Sequence, residues 1–334
     1  MFINNSSKML FFFFLIFSTL LTISSNSWLG CWIGLEINLL SFIPLISNSN
    51  NLFSSEASLK YFLIQSIASI NFLFFILMTM IFKNFLMNFL IMIMMNSSMF
   101  MKMGSVPFHF WFPNMAEGLM WFNNFILMTW QKISPMIILS YYFNMKLMIL
   151  MIIFNTIIGA LGGMKQTSLR KLMAFSSINN LGWMLAAMML SENLWFFYLL
   201  IYSFMISIMC FLFNFMNIFF INQLFIIKMN ILIKINLLIN FLSLGGLPPF
   251  LGFFPKWIII NFSINNNLIF MILIMIMMSL IILFYYIRII YSSIMFNYFK
   301  MKWFNFHSNY KMFLINMFSF FSISMMIINS FFFF

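Results

Sequence analysis

Aspartate is absent from this 334-residue chain, valine occurs once, at Val106, and only four residues are acidic. Charged residues make up 6%, against about 25% in ordinary soluble domains. A water-solvated globule is excluded, and a domain count from length does not apply. The two cysteines, Cys31 and Cys210, stand alone in apolar runs, so no disulfide framework, zinc site or iron–sulfur spacing is available. A nucleotide loop and a dinucleotide fingerprint are missing too, which leaves redox and nucleotide chemistry to other chains. The net charge of +12 comes from basic residues scattered between apolar runs. They form no basic stripe, and nucleic acid is excluded as a partner.

What is there is apolar: 64% hydrophobic and 21% aromatic residues, with 52 Phe and 37 Met. Bilayer physics does not prefer Phe and Met over Val so strongly, and the bias has the pattern of an AT-rich organelle genome. The opening "MFINNSSKMLFFFFLIF" is followed by no small-residue cleavage site and is neither Arg-rich nor Ser-rich enough for a presequence. It reads as a retained first span.

Hydropathy predicts eleven spans, at roughly 9–25, 27–46, 58–82, 85–103, 119–143, 147–163, 169–190, 194–221, 235–262, 268–296 and 312–334. The runs are long and continuous, without the alternation of an outer-membrane barrel, so the fold class is an all-α polytopic membrane protein. With eleven spans, Lys8, Lys60, Lys165, Arg170, Lys171, Lys228, Lys234, Lys300, Lys302 and Lys311 fall on one side, and only Lys83 and Lys146 on the other. The positive-inside rule puts that basic side, and with it the amino terminus, toward the cytoplasm or the matrix.

Two stretches break the apolar pattern in the same way. "GSVPFHFWFP" (Gly104 to Pro113) and "GLPPFLGFFP" (Gly246 to Pro255) share G-x-x-P-F-x-x-aromatic-F-P and lie 142 residues apart. Proline costs about 3 kcal/mol or more inside a helix, so Gly104 and Pro107 in one copy, and Gly246, Pro248 and Pro249 in the other, are expected to interrupt helices. Five spans separate the copies, an odd number, so they enter the membrane with opposite polarity. That is the signature of an inverted repeat built on broken helices, unless the motif recurs by chance in a Phe-rich chain. The expected organisation is a first unit over 1–144, an inverted second unit over 145–296, and a connection with a final helix over 297–334.

Ionisable residues at depth supply the candidate site. Glu36 stands about ten residues from either end of its span, roughly 15 Å from each interface at the helical rise. Lys132 is similarly central, and Lys256 follows Pro255 just past the second break. An unpaired charge there costs at least about 2.5 to 3.5 kcal/mol, so each faces a polar interior, either for function or as a static ion pair. Lys102 could snorkel to headgroups, but its place just before the first break could also present it to the interior. His109 lies inside that break, as a proton shuttle or a structural histidine. Lys60 follows Glu56 by four residues, which suits a helix-surface pair, or a feed into an inward route. Arg288 is expected to snorkel, and Glu117, Glu192 and His307 to sit in solvated connections.

Taken together, "SNSWLGCWIGLEINLLSFIPL", "EASLKYFL", "PFHFWFPNMAEG", "TWQKISP", "GGMKQTSLRKLMAFSSINNLGWM" and "LSLGGLPPFLGFFPKW" resemble the chain 2 family of the mitochondrial NADH-ubiquinone oxidoreductase, respiratory complex I, of insect-like animals. The resemblance runs in order over most of the chain. It implies an antiporter-like fold of two inverted five-helix units, similar to Mrp-type subunits, and a multi-pass, organelle-encoded protein of the mitochondrial inner membrane with a matrix-facing amino terminus. It also implies that the buried Glu and three buried Lys of the family, by motif Glu36, Lys102, Lys132 and Lys256, translocate protons. One departure is Asn180, where relatives commonly have histidine and which cannot carry a proton at ordinary pH. That step is then water-mediated or dispensable.

The implied activity is that of a subunit of a proton-translocating NADH:ubiquinone reductase. FMN, iron–sulfur clusters and ubiquinone are expected in partner subunits and no cofactor or metal in this chain. Expected partners are the other membrane subunits, related antiporter-like chains among them, and phospholipids such as cardiolipin. The relay expected is electrostatic: two charges 4 Å apart at an effective dielectric of about 20 interact by about 4 kcal/mol, enough for the state of Glu36 to change how Lys102 holds its proton. A free-standing cation/proton antiporter, or a structural subunit with static ion pairs, are the alternatives.

Overall fold

The computed structural model of the chain describes residues 6–48, 51–81, 85–226, 231–295, 316–320 and 322. Its elements are α1 (Ser6–Ser24), α2 (Trp28–Ile46), α3 (Leu52–Ile81), α4 (Phe85–Met103), α5 (Trp111–Gly118), α6 (Trp121–Met128), α7 (Ile133–Tyr141), α8 (Met145–Gly163), α9 (Leu169–Leu190), α10 (Glu192–Met216), α11 (Ile221–Ile226), α12 (Ile231–Gly245), α13 (Phe253–Asn265) and α14 (Ile269–Met295). Among the described residues no strand occurs, and a single antiparallel bridge, Ser168 with Phe220, ties two connections together.

Seven described helices are long and apolar enough to cross a membrane, and two shorter apolar helices run over Phe89–Met103 and Ile231–Gly245. A 19-residue helix rises about 28 Å, close to the roughly 30 Å of a hydrocarbon core. Most of the final expected span lies outside the described residues. The expected span at 119–143 differs from expectation. It is two short helices, α6 and α7, joined by a 3₁₀ turn over Trp130–Lys132. Pro135 explains the interruption, since it occupies the third position of α7, where its missing N–H is harmless, and its ring would clash with a preceding helical carbonyl.

The chain folds as two compact units, Met1–Met148 and Ile149–Phe334. In the first, α2 packs against both α1 and α3, and α3 against α4 and α5. In the second, α9 touches α10, α13 and α14. Helix α9 is the most enclosed, with 89% of its membrane-length window buried and the lowest mean hydropathy of the seven, 1.2. A helix surrounded by protein can carry Ser176, Ser177, Asn179 and Asn180 on its buried surface without exposing them to lipid. Small residues let its neighbour approach: a Cβ on Gly159 would fall 2.6 Å from the Asn179 backbone nitrogen, and one on Gly182 2.7 Å from the Thr156 methyl.

Both repeated stretches interrupt the helix by the same local construction. Gly104 and Gly246 hold φ of 69° and 80°, the left-handed region that favours glycine. The amides of Gly104 and Ser105 bond to the carbonyls of Met101 and Phe100, and those of Gly246 and Leu247 to Ser243 and Leu242. Each is a Schellman stop at equivalent positions of the motif. The peptide before the aligned proline, Val106–Pro107 or Pro248–Pro249, is cis in each. The second proline of each motif, Pro113 or Pro255, then sits at the third position of the helix that resumes, α5 or α13.

Gly104→Ala is expected to cost about 1–2 kcal/mol from the left-handed backbone alone, and its Cβ would meet Phe112 Cβ at 2.8 Å. Gly245→Ala is the control, because its Cβ would lie an ordinary 3.5 Å from Leu283 and alanine favours a helical backbone. Heat-unfolding midpoints in native membranes should drop for the first and hold or rise for the second.

Candidate proton-handling site

In the first unit the site is assembled from α2, α3, the end of α4 and the 3₁₀ turn. Lys102 occupies the last turn of α4, where a cation complements the helix dipole, and is 6% exposed. The break ends the regular ladder of α4; the Schellman amides answer Phe100 O and Met101 O, and side chains add to or complete the rest. Trp111 Nε1 donates to Met101 O at 3.2 Å, and Gln65 Nε2 to Lys102 O at 2.9 Å. Glu36, on α2 and half-buried, interacts with Lys102 through its charge.

A polar chain runs beside them. Tyr61 Oη donates to Gln131 Oε1 at 3.3 Å, and Gln131 Nε2 donates to Asn38 Oδ1 at 2.9 Å. Asn38, Tyr61, Gln65, Lys102, Gln131 and Ser134 line a cavity of about 10 Å³ of space for water centres, the least that holds one water molecule. The Ser134 hydroxyl is buried without a hydrogen-bond partner among the described residues, as expected of a group whose partner is solvent. Lys132 is 1% exposed, with Nζ 5.4 Å over the Phe112 ring. The 3₁₀ turn, rather than a straight helix, carries both Gln131 and Lys132.

In the second unit Lys256 stands in the first turn of α13, the wrong end of a helix for a cation. A freed carbonyl compensates, since Lys256 Nζ donates to Gly245 O at 3.0 Å. The Trp183 ring lies 5.7 Å away. A cavity of about 20 Å³ adjoins it, its wall mainly apolar with Ile201, Met205 and Leu244, but carrying Asn180, Tyr198, Tyr202 and Ser243 beside the lysine. Tyr198 Oη donates to Asn180 Oδ1 at 3.0 Å. Asn180 is therefore a wall of the lysine's cavity.

The other sequence candidates separate. His109 is buried in the first break and packs on Phe110, ring centroids 4.2 Å apart. Lys60 pairs with Glu56 at 2.5 Å on an open helix surface, with side chains 44% and 59% exposed. Arg288 does more than reach for headgroups, because its Nη2 donates to Met164 O at 2.8 Å just past the end of α8. Glu117 lies within α5 and Glu192 opens α10 behind the Ser191 cap, a favourable place for an anion, so neither is a connection residue. His307 lies outside the described residues. Among the described residues no group of three or more His, Cys or acidic side chains gathers for a metal.

Sequence reasoning missed Asn38, Tyr61, Gln65, Gln131 and Tyr198. Uncharged polar residues are frequent on these spans, and many simply bond their own helix, as Ser41 and Ser69 do.

Buried lysines beside interrupted helices in a polytopic helical protein define a class, and comparison with known proteins agrees. Residues 25–283 match the family model described as NADH:quinone oxidoreductase/Mrp antiporter, TM. The fold is similar to a chain of respiratory complex I from Thermus thermophilus, with TM-score 0.86 at 19% identity, covering 98% of this chain and 79% of that one. It is also similar to a chain of the Mrp complex from Dietzia, with TM-score 0.75 at 14% identity, covering 83% and 58%. Nearer in sequence are the NADH-ubiquinone oxidoreductase chain 2 of Anopheles gambiae, 50% identical and covering 86% of each chain, and that of Locusta migratoria, 43% identical and covering 90% and 89%. This chain belongs to the NADH-ubiquinone oxidoreductase chain 2 family.

Gln131→Leu keeps the bulk but strands Tyr61 Oη and Asn38 Oδ1, at about 1–3 kcal/mol per unpaired buried group. Gln131→Glu, whose carboxyl when protonated can accept from Tyr61 and donate to Asn38 Oδ1, should lose less at low pH. Thermal stability of the two variants in membranes compares them, and equal losses would contradict the network.

Proposed function

We propose that the chain carries protons across the mitochondrial inner membrane as a membrane-arm subunit of complex I, through Glu36, Lys102, Lys132 and Lys256. The observation that carries this reading is that Lys102 and Lys256 each adjoin both a helix interruption and a small cavity with polar side chains in its wall. Such a lysine can exchange its proton with a hydrated neighbourhood and feel a charge nearby. When Glu36 is charged it favours the ammonium form of Lys102, and when Glu36 takes up a proton that hold weakens. A proton displaced from Lys102 passes on through water and polar side chains, and each transfer changes the field at the next group.

The inverted-repeat organisation, with units over 1–144 and 145–296, belongs to this reading, and so does the matrix-facing amino terminus. The basic residues at the α8–α9 connection and the start of α9, Lys165, Arg170 and Lys171, suit anionic phospholipids such as cardiolipin on the matrix side. Energy enters from NADH oxidation and ubiquinone reduction in partner subunits, which hold FMN and the iron–sulfur clusters. Here Lys60 and His109 are secondary at most, since one lies in an open surface pair and the other packs against an aromatic ring.

Replacing Lys102 by Met, or Glu36 by Gln, should lower proton translocation per electron several-fold while assembly is retained. Proton uptake and NADH oxidation are measured together in sealed membranes, normalised to assembled complex. If assembly falls and coupling per assembled complex stays intact, the charges are static pairs. If the purified chain alone exchanges cations for protons, it is a free-standing antiporter.

A further inference from the structure

Among the described residues of the second unit four tyrosines are buried: Tyr198 and Tyr202 on α10, and Tyr285 and Tyr286 on α14. Tyrosine hydroxyls in an apolar interior are costly to desolvate and are kept where they bond to something. These four do not scatter. Three of them follow polar residues of α9, the most enclosed of the long helices, in order along its length, and Tyr285 continues the series to the end of α8.

At the deep end Tyr198 bonds Asn180, and both line the cavity of Lys256. Tyr202 lines the same cavity and reaches Ser177. One residue nearer the start of α9, Ser176 faces Tyr286, which in turn faces Tyr285 with ring centroids 4.8 Å apart. The Tyr285 ring lies against Gly163, the last residue of α8, where a Cβ would meet its Oη at 3.3 Å. One turn further along α14, Arg288 binds the carbonyl of Met164. There the connection carrying the exposed Lys165 begins.

From Asn180 back to Ser176 is four residues of α9, about 6 Å of rise, and from there to Leu169 about another 10 Å. The tyrosines meet α9 at Asn180, Ser177 and Ser176, and Tyr285 lies at the end of α8. The Oη atoms of Tyr285 and Tyr286 are buried without a closed hydrogen bond, and the hydroxyls of Ser176 and Ser177 donate to the carbonyls of Met173 and Ala174, which leaves their oxygens open to accept a proton.

We propose that Tyr202, Tyr286 and Tyr285, with Ser177 and Ser176, form a hydroxyl wire that connects Lys256 to the membrane face at the α8–α9 connection. The inference rests on the proton-carrying reading of Lys256. A proton arriving at Tyr285 binds an oxygen lone pair as that hydroxyl releases its own proton to the next oxygen. At the cavity the last proton is taken by the lone pair of neutral Lys256 Nζ, giving the ammonium. One O–H bond forms and one breaks at every relay oxygen, so no tyrosine need ionise. Asparagine at position 180, which cannot itself relay a proton, is then bypassed, and its part is to hold Tyr198.

Tyr286→Phe and Tyr202→Phe remove one oxygen each and keep the ring packing. In sealed membranes containing the assembled complex, each should reduce proton translocation per assembled complex to the level of Lys256→Met, with the solvent deuterium isotope effect on coupled turnover altered. The double variant should be no worse than either single one, because the wire acts in series. Ser176→Ala, which removes the hydroxyl facing Tyr286, should act in the same direction. If Lys256→Met blocks coupling and the phenylalanine variants pump normally, the wire is wrong and the proposed function stands. If Lys256→Met also pumps normally, the proton-carrying reading itself fails. Should a phenylalanine variant assemble poorly, Ser176→Ala with normal pumping still overturns the wire.

Discussion

A carbonyl released by a break in a helix has no water to turn to inside a bilayer, and leaving it bare costs several kcal/mol. The rest of this structure follows from how those carbonyls are answered. After the first break Trp111 and Gln65 reach the carbonyls of Met101 and Lys102. After the second, Lys256 itself reaches Gly245. At the second break the interruption thus offers the ammonium an oriented oxygen dipole in place of part of a hydration shell. A charge that costs several kcal/mol on an intact helix becomes tolerable beside a broken one.

The two lysines use this solution differently. Lys102 ends a helix, so the dipole favours it and the freed carbonyls can be given to other donors. Lys256 begins one, so the dipole opposes it and the carbonyl is needed at the ammonium directly. That difference matches the donors found at each break, Gln65 and Trp111 at the first and Lys256 itself at the second.

The parts of this arrangement legible in the sequence were those that break a pattern. Glu36, Lys102, Lys132 and Lys256 stand out because charge is rare among apolar neighbours, and Gly104, Pro107, Gly246, Pro248 and Pro249 because they punctuate otherwise continuous runs. The breaks fall where those residues stand, between α4 and α5 and between α12 and α13. The interruption at Trp130–Lys132 was also written in the sequence, by Pro135 three residues on, but hydropathy averages over a window and a proline in an apolar segment barely moves it. The polar partners were not legible. Gln65 meets Lys102 across 37 residues of sequence and Gln131 meets Asn38 across 93, and nothing local to an uncharged amide says which distant helix it will face. Tyr198 and Tyr202 are hidden further by a chain in which aromatic residues are ordinary.

If buried lysines beside helix interruptions share their cavities with water, experimental density fine enough to resolve ordered solvent will show it. A water is expected between Lys102, Gln131 and Ser134, and another touching Lys256 near Asn180 and Ser243. Two dry, side-chain-filled spaces at those places would contradict that expectation.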